Sequence, residues 1–163
     1  MREIILVLAS AAFFIHIWAY YAIAYDVPAW ILYYTTEEFI ARLAYTFAFL
    51  FAETLATSFA ILAIGFFLPK SILQDKFVSI STMVMLSGFI FSAAHTLVEF
   101  PRDISFLPFL GFFGFALIFV FLLYLYPMLN QMVFKFIENL VTLSILYLLI
   151  DLAGIIIVLL RNI

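Results

Sequence analysis

FIARLAYTFAFLFAETLATSFAILAIGFFL, residues 39–68, carries only two charged side chains, Arg42 and Glu53. As an α-helix it would rise about 45 Å, longer than the roughly 30 Å hydrocarbon core of a bilayer. A stretch so long and so apolar reads as a transmembrane helix that tilts or projects beyond the membrane. Pro69 follows at its end and cannot continue a helix interior.

The rest of the chain repeats that character. Hydrophobic residues make up 69% and charged residues 10% of the sequence, and mean hydropathy is +1.29. An ordinary soluble domain has roughly 45–50% apolar and about 25% charged residues. The fold class is therefore an all-α integral membrane protein, a single transmembrane domain over residues 1–163 with no polar block long enough to form a soluble catalytic domain. A formal charge of -3 without a basic patch excludes nucleic acid as a partner. The absence of cysteine removes disulfides, thiolate metal sites and cysteine nucleophiles together. Sparse Asn and Gln lean faintly toward a thermophilic source.

Five segments qualify as spans: residues 4–25, 39–68, 77–100, 106–126 and 134–160. The first resembles a signal peptide, with Arg2 before it and Ala22-Ile23-Ala24 near its end, but it is too long and too aromatic, and is expected to be retained. Pro101 and Pro127 close the third and fourth. Residues 26–38 mix Trp30, Tyr33 and Tyr34 with Asp26, Glu37 and Glu38, which predicts an interfacial segment lying on the membrane. The bundle is thus five helices with short loops and this one interfacial piece. With the N-terminus inside, the inner face holds Arg2, Lys70, Lys76 and Lys135 against Arg42, Arg102 and Arg161 outside. That bias favours N-inside and C-outside in a prokaryotic plasma membrane. Pro69, Lys76 and Phe77 recur as Pro127, Lys135 and Phe136, a pattern that coincidence explains better than a duplicated hairpin.

Steps of three and four gather the polar residues into stripes. Arg42, Thr46, Phe49, Glu53, Thr57 and Ala60 share one face of the second span; Met85, Gly88, Ser92, His95 and Glu99 share one on the third. Ser144, Tyr147, Asp151 and Gly154 do so on the fifth, and Ala9, Ala12, His16, Ala19 and Tyr20 on the first. Small and hydroxylated residues favour close helix contact, so the four stripes are expected to face one another. The Phe-rich fourth span is expected to face lipid or a partner subunit. Counted from the inner ends, His16, Glu53, His95 and Asp151 all fall at roughly 18–27 Å, one intramembrane polar layer. An unpaired charge there costs at least about 2.5–3.5 kcal/mol, so pairing or neutralisation is required. Arg42, Thr57, Ser92, Glu99 and Tyr147 would support that layer, with Glu38 and Arg42 pairing at the interface.

Interhelical glue is the plainest role for these groups. Sharper ones are a proton or ion relay through Glu53 and Asp151, a b-type haem held by His16 and His95, and a quinone or lipid among the aromatic rings. A metal site is not indicated, because no H-E-x-x-H arrangement occurs, and no G-x-S-x-G elbow supports serine chemistry. No catalytic residue is identified, and the chain is not expected to be an enzyme by itself. The expectation is a non-catalytic or accessory subunit of a larger membrane complex, respiratory or transporting, in contact with lipids and with other subunits or further copies of itself. An ion- or proton-coupled small transporter and a bis-His haem subunit are the alternatives.

Overall fold

A computed structural model describes residues 2–67, 76–97 and 107–162. Among them the chain forms helices and no strand: α1 (Arg2–Tyr33), α2 (Thr36–Phe67), α3 (Phe77–Leu97), α4 (Leu107–Leu125) and α5 (Pro127–Arg161). α1, α2, α3 and α5 are long and apolar enough to cross a membrane. α4, at 19 residues, rises about 28 Å. A helical integral membrane protein accounts for this pattern, because only a helix satisfies its own backbone inside hydrocarbon.

Two boundaries differ from the sequence expectation. No separate interfacial segment follows the first span: α1 continues through Asp26 and Pro28 to Tyr33, and the chain reverses at Tyr34 and Thr35. Thr35 and Glu38 then start α2 with a reciprocal capping box, the Glu38 backbone N–H donating to Thr35 Oγ1 while Glu38 Oε2 accepts from the Thr35 backbone N–H. Glu38 is committed to that cap, so the Glu38–Arg42 pair does not form; Arg42 instead lies over the rings of Tyr34 and Trp30 and donates to the Tyr34 hydroxyl at 2.6 Å. The residues before the expected fifth span are also helical. Pro127 sits in the first turn of α5, where its missing N–H costs nothing, and the helix runs 35 residues. The Pro–Lys–Phe resemblance has no structural counterpart: Phe77 opens α3, whereas Phe136 lies inside α5, and Pro69 is outside the described residues.

α1 is the hub. It packs against α2, α3 and α5; α2 packs along α5, and α4 leans chiefly on α3. Ala9, Ala11 and Ala12 are buried on successive sides of α1, small enough to let neighbours approach from several directions. α2 and α5 come closest at Gly154, where an added Cβ would stand 2.9 Å from the Ala44 carbonyl oxygen and 2.7 Å from Phe47 Cβ. An apolar cluster of Leu6, Val78, Leu123, Val133 and Ile137 binds four helices at one end. Leu123 is fully buried there and Ala116 is also buried, so α4 is not wholly given to lipid; Leu117, Ile118 and Phe121 remain exposed.

Polar contacts mark the two ends. Arg2 pairs with Glu138 and lies over Phe134, and Lys76 lies over Tyr124. At the opposite end Asn162 donates to the Tyr45 hydroxyl at 2.9 Å, near the α1–α2 turn.

Candidate functional site

His16 and Asp151 meet in the interior. The stripe on α1 faces the stripe on α5, and Ser144 Oγ donates to the Ala9 carbonyl at 2.9 Å two turns below. His16 Nε2 stands 3.0 and 3.1 Å from the two Asp151 carboxyl oxygens, and Nδ1 stands 2.7 Å from the Ala12 carbonyl. Both side chains have no solvent exposure. Tyr147 stacks on the imidazole at 4.8 Å with planes 5° apart, and Tyr20 closes over both rings edge-on.

The hydrogen-bond geometry fixes the protons of this pair. A backbone carbonyl only accepts, so Nδ1 carries a hydrogen and donates to Ala12. One further proton then lies between Nε2 and the carboxyl group, since two bare lone pairs would repel at 3.0 Å. Whichever atom holds it, the pair is neutral as a whole. Neutrality is what a fully buried couple in hydrocarbon requires. With both ring nitrogens engaged and Tyr147 covering one face, His16 offers no free nitrogen to an iron, and the arrangement does not fit an axial haem ligand. His95 lies in α3 with its side chain outside the described residues, as is all of Glu99.

Glu53 is elsewhere. Buried positions of α2 are Ala41, Ala44, Leu50, Thr54 and Ser58, so the inward face is not the stripe through Arg42, Phe49 and Glu53. That stripe is turned outward, and the four polar stripes do not converge: Phe49 is 69% exposed and Glu53 is exposed too. α2 takes this rotation because Gly154 lets the backbone at Ala44 and Ala48 approach α5 as a larger residue would not. Glu53 has no hydrogen-bond or ion-pair partner among the described residues.

Glu53 borders a groove of about 330 Å³ between α1, α2 and α3. Thr57 and Ser92 border it as well, and its floor is the aromatic run Phe14, Phe89 and Trp18, whose neighbouring ring centroids lie 5.8 and 6.3 Å apart. Gly65 of α2 lies against the Phe77 ring at the start of α3, which sets the relative level of the two helices. Glu53 is then about 18 Å along α2 from that end, close to the middle of the 32-residue helix. No cluster of three or more metal-ligating side chains occurs among the described residues.

The structure also brings together residues that no single stripe indicated. Ser10 Oγ and Thr82 Oγ1 lie 2.9 Å apart between α1 and α3, both buried. Thr54 Oγ1 is buried on the inward side of α2 without a partner among the described residues. The groove joins Trp18 to Glu53, which are 35 positions apart on antiparallel helices, so its only sequence signal was the carboxyl group itself. Comparison with protein-family models, curated proteins and solved structures finds no match to this chain.

Proposed function

We propose that this protein is a non-catalytic, accessory subunit of a larger membrane assembly, with all five helices spanning the bilayer, the N-terminus inside and the C-terminus outside a prokaryotic plasma membrane. The observation that carries this reading is the place of Glu53: a carboxyl group near mid-depth, on the outside of the bundle, without a partner among the described residues. Lipid tails supply no hydrogen bond, so such a group is costly unless a second molecule covers it. Exposed Ala52, Ala56 and Ala60 run beside it on α2, the small-residue spacing that lets another membrane helix approach.

The proton-coupled transporter reading is weaker, because the His16–Asp151 pair is sealed by aromatic rings and satisfied within itself. A relay group needs an exposed side through which the proton enters and leaves. The bis-His haem reading is weaker for the reason of the engaged ring nitrogens.

Native mass spectrometry of the protein released mildly from its own membrane tests the assembly. Other protein chains in stoichiometric amounts are expected. A bare monomer or a homo-oligomer would overturn the accessory-subunit reading.

A further inference from the structure

We infer that the groove between α1, α2 and α3 receives a membrane helix of a different protein, which places a lysine or arginine side chain near mid-depth against Glu53 and the Phe14–Phe89–Trp18 wall. The inference rests on the accessory-subunit reading and names the chemistry of the partner.

Two independent features of the groove attract a cation. Glu53 supplies a carboxyl group that can accept hydrogen bonds from an ammonium or guanidinium group. Trp18, with Phe14 and Phe89, lines the groove with aromatic rings, and an indole is the best aromatic partner for an ammonium or guanidinium group. Ring faces hold a cation elsewhere in this protein, where Arg42 lies over Trp30 and Tyr34. Around them lie apolar side chains, so the arriving charge exchanges lipid for a desolvated site in which each attraction is strong. A volume of about 330 Å³ accommodates a long basic side chain together with part of the helix that bears it.

Among the described residues no lysine or arginine of this chain is placed to serve as that cation; Lys70 and Arg102 lie outside them. Arg2 is paired with Glu138, Arg42 is held by Tyr34 and Trp30, and Lys76 lies over Tyr124. Lys135 is one turn from Glu138 near the same end, and Arg161 closes α5 at the other. All five stand toward the ends of their helices. Among the described residues, a parallel second copy therefore brings no lysine or arginine to the level of Glu53.

The test uses the full chain in vesicles of neutral lipid, carrying Trp30→Phe so that Trp18 is the sole tryptophan. The probe is a leucine–alanine helix of about 22 residues with a dansyl group and one central lysine, compared with the same helix carrying leucine at that position. Energy transfer from Trp18 reports association. About ten-fold tighter association of the lysine helix is expected, falling to the leucine level in Glu53→Gln and partly kept in Glu53→Asp. Equal association of the two helices, or a lysine preference that persists in Glu53→Gln, overturns the inference. Glu53-dependent self-association without any probe also overturns it, in favour of a carboxyl–carboxyl contact between copies. If native mass spectrometry finds partner chains while the lysine preference is absent, the accessory role stands and the cation falls.

Discussion

Asp151→Asn and Asp151→Ala should separate sharply in stability, because they treat the shared proton of the His16 pair differently. In Asn the side-chain amide N–H donates to Nε2, while Nδ1–H continues to donate to Ala12, so both ring nitrogens keep a partner at the present spacing of 3.0 Å. In Ala the Nε2 atom is left without one inside a site that has no exposure. Interhelical hydrogen bonds in membranes average about 0.6 kcal/mol and reach about 1.7 kcal/mol. This pair is fully buried and contacts both carboxyl oxygens, which places it at the upper end. The stranded nitrogen adds about 1–3 kcal/mol. Asp151→Ala should therefore lose about 2–4 kcal/mol, and Asp151→Asn under about 1 kcal/mol. Reversible unfolding in mixed micelles, titrated with dodecyl sulfate, measures both. Equal losses in the two variants would refute the shared proton, and a loss for Asn above about 2 kcal/mol would mean that the pair must be ionised to hold the helices.

Two further outcomes follow from the packing. Gly154→Ala should destabilise the bundle by about 1–3 kcal/mol, since its new methyl meets backbone at Ala44 and Cβ at Phe47, neither of which can turn aside; the same micelle titration checks it, and an unchanged midpoint would show that α2 and α5 separate without cost. Glu53→Leu should leave the isolated chain within about 0.5 kcal/mol of the unsubstituted protein, because the side chain is exposed and has no partner among the described residues, yet it should remove the partner chains from the native mass spectrum. Destabilisation of the isolated chain would place Glu53 in a contact of its own bundle.

The stripes on α1 and α5 were visible as runs of small and polar residues at helical spacing, and what each faces was not. His16 and Asp151 are separated by 135 positions, and their approach depends on the relative level and rotation of two long helices. The stripe on α2 pointed the wrong way for an instructive reason. Its carboxyl group suggested an inward face, but in lipid nearly every position of the helix is apolar, so hydropathy does not distinguish inside from outside. Rotation is decided by which side lets a neighbour come closest. On α2 that side is marked by Ala44 and Ala48 opposite Gly154, a shape signal and not a polarity signal.

Composition alone determined that this chain is helical and belongs in a membrane, because no other arrangement satisfies the backbone of so apolar a sequence. Segment lengths determined the number and order of the helices, although the ends moved where local chemistry intervened: the capping box of Thr35 and Glu38, and Pro127 in the first turn of α5. Only the tertiary structure decided that one carboxyl group is neutralised inside the bundle while another stands outside it. That division arises because helix rotation is set by the fit of small residues between neighbours, and the polar side chains are carried to whichever side the fit dictates.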